Sequence, residues 1–355
     1  MTGSSLRTDG GRRSPCDQPV GSCALRGRTS RVEVRDLTIA YDSIDRSVLA
    51  LDGAELTIEA GESLAIVGER GSGKSTLGMA IGRLLPPEAR RLNGDLNYEG
   101  RSVFAASDEE VRSLRRDKLG FIFQSPMAAL DPTMRVGRQV ALAVGGRPEI
   151  ADIAALLERA ELSDPERIMR SFPHQLSGGM AQRVVIAMAI ARGQRLVIAD
   201  EPTASLDASI RDRVMATLSR LRRENSASLA IFSHDLRMVG RHADRIAVMY
   251  AGRVVETGPS DHVLRFPAHP YTRALMAGAV DGARRGVRLE PIPGAPPVVI
   301  ARAENCAFAP RCLARQSLCF ERRPETRRVH DRIVACHFAE QVLAQHHIGI
   351  NEPSV

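Results

Sequence analysis

Ser63-Leu-Ala-Ile-Val-Gly-Glu-Arg-Gly-Ser-Gly-Lys-Ser75 decides the fold. The apolar run from Ser63 to Val67 reads as a strand, a glycine-rich turn follows it directly, and a helix-forming segment opens at Lys74. Gly68 to Ser75 fits the pattern G-x-x-x-x-G-K-[ST], a phosphate-cradling loop whose setting between strand and helix is as informative as its letters. Glycines let the loop fold with successive backbone N–H groups turned inward, and the positive end of the following helix adds to their field. Gly68, Glu69, Arg70, Gly71, Ser72, Gly73, Lys74, Ser75 and Thr76 are therefore the expected nucleotide-binding residues. Lys74 would set a point charge against the β- and γ-phosphates, and the Ser75 hydroxyl would ligate Mg2+.

The other half of such a site is Arg195-Leu-Val-Ile-Ala-Asp-Glu201. An unbroken apolar run is what a fully buried parallel strand requires, and this one ends in two carboxylates. Asp200 is expected to hold Mg2+ through water. Glu201 is expected to orient and polarise the attacking water, the general-base role that phosphoryl transfer to water needs. An acidic pair at a strand end is by itself an ordinary surface feature; the phosphate loop gives it the catalytic reading.

Strand and helix signals alternate on both sides of these motifs. Arg31 to Tyr41 alternates apolar and polar residues as a half-buried strand does. Leu56 to Glu69, Gly120 to Gln124, and Leu229 to His234 follow as strand signals, with a helix from Ala208. The pattern predicts an α/β fold with a largely parallel central sheet. The helical stretch before Arg195 is too long for one crossover, so an inserted helical subdomain is expected over about 125–193. After about residue 280 the texture turns to Pro and Gly, then to a short segment holding Cys306, Cys312, Cys319 and Cys336, which predicts a linker and a small terminal module. The expected division is a tail at 1–30, a cassette at 31–265, a C-terminal extension at 266–345 and a tail at 346–355. With no internal repeat, one ATPase unit is expected.

Bulk properties narrow the function classes. The 355 residues can bury a full core, and the net charge of +7 is nearly all arginine, with Lys74 and Lys118 the only lysines. The arginines are scattered rather than gathered in a stripe, which argues against a nucleic-acid surface. No run approaches the roughly 18 apolar residues of a membrane span, and the N-terminus lacks a signal-peptide core. A cytoplasmic protein is expected, in which the six cysteines are free thiols or metal ligands. Cys16 and Cys23 lie in the Gly/Arg-rich tail and are assigned no role.

Leu176-Ser-Gly-Gly-Met180 resembles the signature of ABC cassettes and narrows the many phosphate-loop families to one. The resemblance covers about residues 31 to 340 and implies an ABC cassette with an antiparallel β subdomain, an inserted helical subdomain and a head-to-tail cassette dimer. In such a dimer Leu176, Ser177, Gly178, Gly179 and Met180 would act in trans on the γ-phosphate of the opposite subunit. Gln124 resembles the Q-loop glutamine that touches Mg2+ and the attacking water, and His234 the switch histidine. Asp207 resembles the D-loop aspartate, and Tyr41 the aromatic that stacks on adenine. Arg70 stands where relatives usually carry a small residue.

His269-Pro-Tyr-Thr-Arg-Ala-Leu275 and the cysteine segment are similar to the C-terminal extension of oligopeptide and dipeptide importer ATPases, an extension that nickel and some glycoside importers share. The resemblance implies two transmembrane permease subunits, a second cassette, an extracytoplasmic substrate-binding protein, and a place on the cytoplasmic face of the membrane. A soluble ABC ATPase acting on ribosomes or nucleic acid is the rival reading, though such proteins usually carry two cassettes or a long coiled-coil insertion. The spacing C-x5-C-x6-C-x16-C fits neither short zinc pairs nor a compact ferredoxin run. Resemblance to cluster-bearing importer ATPases favours [4Fe-4S] at these four cysteines, with Zn2+ or unligated thiols as the alternatives.

Overall fold

The computed structural model describes residues 30–42, 46–204, 206–278 and 291–348. Cys16, Cys23 and most of both expected tails lie outside the described residues. Strands run in the order β1 (Ser30–Asp42), β2 (Ser47–Glu59), β3 (Ser63–Val67), β4 (Ala89–Tyr98), β5 (Arg101–Ser102), β6 (Leu119–Ile122), β7 (Leu196–Asp200), β8 (Ser228–Ser233), β9 (Arg245–Tyr250), β10 (Arg253–Pro259), β11 (Arg327–Val329) and β12 (Arg332–Val334). The main sheet has the order β11-β12-β10-β9-β3-β8-β7-β6. From β9 to β6 every pairing is parallel, while β10, β12 and β11 are added antiparallel.

Period-two alternation divides two cores across this sheet. Leu64, Ile66, Ile198, Ala230 and Phe232 face one way, where Leu77 and Ile81 of the helix Lys74–Ile81 join an antiparallel sheet of order β2-β1-β4-β5. Ala65, Val67, Val197, Ala199 and Ile231 face the other way. There they meet the helical subdomain, whose helices Val136–Val144, Ile150–Arg159, Pro165–Arg170 and Gly178–Ala189 pack through Val140, Leu157, Ile168 and Val184. Burial on both faces explains the apolar runs Leu64–Val67 of β3 and Leu229–Phe232 of β8.

The C-terminal segment is not the separate module that a Pro-rich linker suggests. Its β12 pairs with β10 and extends the main sheet, and the Val299 carbonyl accepts the Leu49 N–H at 2.7 Å. Glu256 on β10 is fully buried and accepts the N–H groups of Ala268 at 2.8 Å and His269 at 3.0 Å. The final helix, Ala339–Ile348, also crosses the boundary expected at residue 346. Among the described residues no helix is long and apolar enough to cross a membrane.

Candidate ATP site and cysteine cluster

Parallel strands deliver their C-terminal ends to one edge of the sheet, where ligands of open α/β sheets bind. Gly68–Ser75 follows β3, Gln124 follows β6, Asp200 ends β7 with Glu201 after it, and His234 follows β8. Gly68 and Gly73 are sterically required. A Cβ on Gly68 would fall 2.2 Å from the Met249 carbonyl oxygen, and Gly73 combines φ +98° with a Cβ position 2.3 Å from the Ala50 carbonyl oxygen.

Lys74 is 6% exposed and folds back over the loop. Its Nζ donates to the carbonyls of Gly68 at 2.7 Å and Glu69 at 2.9 Å. Burial lowers its pKa, against the pull of Glu201 and Asp200. The Ser75 hydroxyl donates to Asp200 Oδ1 at 3.3 Å. Burial raises the Asp200 pKa, opposed by that hydrogen bond and reinforced by Glu201.

Glu201 adopts φ +48°, the left-handed region that a side chain enters only under constraint from its surroundings. Its N–H is held by the Phe232 carbonyl at 2.8 Å. Its carboxylate accepts from the Ser233 hydroxyl at 3.3 Å and lies 2.8 Å from His234 Nδ1. Glu201 and His234, far apart in sequence, thus form one unit across β7 and β8. Tyr41 Oη lies 3.3 Å from Thr76 Oγ1, which brings this aromatic to the helix that begins at Lys74. Arg70 and Gln124 are exposed.

The Leu176–Met180 segment lies elsewhere on the chain. Ser177 caps the helix Gly178–Ala189, its Oγ accepting the Met180 N–H at 3.3 Å. A Cβ on Gly179 would sit 3.1 Å from Ile210, and one on Gly178 would sit 3.8 Å from Leu206. The signature therefore packs on the segment around Asp207, and Ser177, Gly178 and Asp207 are all exposed.

Cys306, Cys312, Cys319 and Cys336 are free thiols that line one cavity of about 20 Å³ with His269 and Phe308. Burial pushes Cys312 up to about 11 and Cys336 to about 12, and the neighbouring thiols add to both. Backbone N–H groups soften the effect: those of Phe308 and Ala309 at Cys306, Ala314 at Cys312, and Phe338 at Cys336. Among the described residues no group of three or more His, Cys, Asp or Glu side chains is set to hold a metal ion.

Three residues beside the ATP site escape the motifs. Ser233 supports Glu201, and Tyr271 and Arg311 reach Glu69 from the C-terminal segment. The His269–Leu275 phrase marks the region of Tyr271, whereas nothing in the cysteine spacing points to Arg311.

A strand-loop-helix phosphate cradle, a carboxylate pair at the end of a neighbouring strand, and a helical insertion define a nucleotide-binding cassette of the phosphate-loop class. The ABC transporter family matches residues 51–204, and the family "Oligopeptide/dipeptide transporter, C-terminal region" matches residues 255–319. The oligopeptide transport ATP-binding protein OppD of Bacillus subtilis is 40% identical over 311 residues, covering 85% of this chain and 87% of the relative. A putative peptide import ATP-binding protein of Brucella abortus is 37% identical, covering 82% of this chain and 90% of its own. The cassette MJ0796, solved as a dimer in a post-hydrolysis state bound to ADP and Pi, superposes with TM-score 0.58 at 30% identity, covering 64% of this chain and 98% of that one. The chain belongs to the ABC transporter ATP-binding subunits, ATP-hydrolysing proteins, in the oligopeptide/dipeptide branch.

Proposed function

We propose that the chain powers import of oligopeptides or dipeptides by hydrolysing MgATP at the cytoplasmic face of the membrane, as a peripheral partner of two permease subunits. Hydrolysis is supported by the Glu201 carboxylate held between Ser233 and His234, beside the Ser75–Asp200 pair and the buried Lys74, and the peptide branch by the oligopeptide/dipeptide family match over residues 255–319. A carboxylate oriented by two neighbours can accept a proton from water as that water attacks phosphorus. His234 positions Glu201 and senses the γ-phosphate, the Gly68–Thr76 loop binds the triphosphate, and Tyr41 stacks on the base. The Ser75 hydroxyl and the Asp200 carboxylate, 3.3 Å apart, would hold Mg2+, with Gln124 as a further oxygen donor from the loop after β6, and the ion would supply charge neutralisation at the phosphates.

The cassette is assigned to 31–265, with its helical subdomain at 125–193, and the extension to 266–345. The exposed Ser177-Gly178 helix start suits an anion presented by a second cassette. Closure of two cassettes over two nucleotides then drives the permeases, because ATP and ADP differ in affinity for the closed state. Replacing Glu201 by Gln lowers hydrolysis about 10²–10⁴-fold while ATP still binds and gathers the subunits into dimers. An E201Q variant that hydrolyses at the wild-type rate would refute the assignment.

The reading of Cys306, Cys312, Cys319 and Cys336 as ligands of a [4Fe-4S] cluster is supported by their lining one cavity. Burial favours the protonated thiols, and backbone N–H donors at Cys306, Cys312 and Cys336 offset that effect in part. Ligation would release the thiol protons, and the cationic core of a cluster would offset the charge of the four thiolates and cross-link the segment. Iron and acid-labile sulfide analysis of anaerobically purified protein, beside Cys336→Ser, tests the assignment. Zinc without sulfide would overturn it.

A further inference from the structure

Two residues of the C-terminal segment, Tyr271 of the helix Pro270–Gly278 and Arg311 of the cysteine turn, hold Glu69 of the phosphate loop. The Glu69 N–H donates to the Tyr271 hydroxyl at 2.8 Å. Its carboxylate accepts a two-pronged bond from Arg311, Nη1 at 2.7 Å and Nη2 at 3.0 Å. Arg311 is 6% exposed and has little freedom of its own. Its Nε donates to the Pro293 carbonyl at 2.7 Å, and its guanidinium lies over the Tyr250 ring at 5.8 Å.

The turn that carries Arg311 also presents two of the cysteines. The Ala309 N–H donates to the Cys306 carbonyl at 3.0 Å, and the Cys312 N–H to the Ala309 carbonyl at 3.3 Å. Phe308, in the same turn, packs edge-on against Tyr250 at 5.2 Å and Tyr271 at 5.3 Å. The Glu69 carbonyl, in turn, is an anchor for Lys74 Nζ. A continuous set of contacts therefore runs from the cysteine turn through Arg311 and Glu69 to the lysine that meets phosphate.

We propose that Arg311 is a positioning residue for ATP: it neutralises Glu69 and fixes the phosphate loop, and it links nucleotide occupancy to the order of the Cys306–Cys312 turn. The proposal rests on the assignment of Gly68–Ser75 as the nucleotide site. Without Arg311 the loop keeps an uncompensated carboxylate next to the polyphosphate, so affinity falls while the hydrolytic groups Glu201 and His234 stay in place. Linkage is reciprocal, so nucleotide must also steady the turn.

The test uses the full chain with MgATP and MgADP. Arg311→Gln should raise KM for ATP about tenfold or more with kcat within about threefold, because a half-buried two-pronged ion pair is lost. Arg311→Lys, a point charge without the planar fork, should fall between. Removing the stranded charge as well, in Glu69→Gln/Arg311→Gln, should bring KM back to within about threefold of wild type, the signature of a coupled pair. MgADP should slow amide exchange over residues 306–312 in wild type and not in R311Q. An R311Q variant with wild-type KM would overturn the proposal. So would parallel loss of kcat, KM and thermal stability without rescue by the double variant, which would make Arg311 merely structural. Lys74→Ala separates the two levels. Lost binding there beside an unaltered R311Q sinks only the clamp, whereas intact binding in K74A sinks the site assignment and this proposal with it.

Discussion

Replacing Glu256 by Ala should unfold the protein from the seam between the main sheet and the C-terminal segment. Glu256 is fully buried on β10, and both carboxylate oxygens are used: Oε1 by the Ala268 N–H at 2.8 Å and Oε2 by the His269 N–H at 3.0 Å. Arg332, 6% exposed on β12, sits 3.5 Å from Oε1. Burial raises the carboxyl pKa, and the N–H groups and Arg332 oppose the shift. Alanine would strand two buried N–H groups, each costing about 1–3 kcal/mol. It would also remove a carboxylate facing a buried guanidinium, a loss worth about 3–5 kcal/mol when nothing else supports the cation. Arg332 keeps bonds to the His262 and Phe266 carbonyls and a contact with Asp331, so the ionic part falls well below that range. The net expectation is about 3–5 kcal/mol, which at about 2–4 °C per kcal/mol lowers the melting temperature by roughly 6–20 °C. Urea unfolding followed by far-ultraviolet circular dichroism, with Tm by calorimetry, measures it. Glu256→Gln keeps one acceptor and should fall between wild type and Ala. A loss below about 1 kcal/mol in E256A would refute the reasoning, since it would mean that the 266–345 segment is not anchored through this carboxylate.

Two further outcomes follow from the geometry of the ATP site. Gly73→Ala forces a side chain into φ +98° and places its Cβ 2.3 Å from the Ala50 carbonyl oxygen. It should cost about 1–3 kcal/mol of stability and abolish binding of a fluorescent ATP analogue, and an unaltered affinity would refute the loop geometry. Ser177→Ala removes the cap on the Met180 N–H, which should cost about 1 kcal/mol. On the proposed trans role, it should leave the nucleotide affinity of isolated subunits unchanged and lower steady-state hydrolysis by the paired cassettes about 10²-fold. Equal loss of affinity in the monomer would remove the trans role.

Most of the candidate ATP site was legible because its chemistry is local in sequence. A phosphate loop needs its glycines, lysine and serine within one turn, and the buried strand ahead of Asp200 announces itself by an unbroken apolar run. The parallel sheet was legible for the same reason: strands buried on both faces admit few polar residues. What sequence could not give is set by contacts between distant segments. The left-handed φ of Glu201 is held by Phe232 and Ser233, residues of another strand. The Pro- and Gly-rich texture before Cys306 reads as a linker because composition reports local stiffness and says nothing of pairing. Only the β10–β12 register and the buried Glu256 reveal that the C-terminal segment continues the sheet. The same blindness hides Arg311, one arginine among many scattered ones, whose partner lies 242 positions earlier in the chain. Arg311, which ties Glu69 of the phosphate loop to the cysteine turn, belongs to neither motif, so its role emerges only from charge and burial in the folded chain. Substitutions at Glu69 and Arg311 should therefore act on nucleotide affinity as a pair, although no motif contains both.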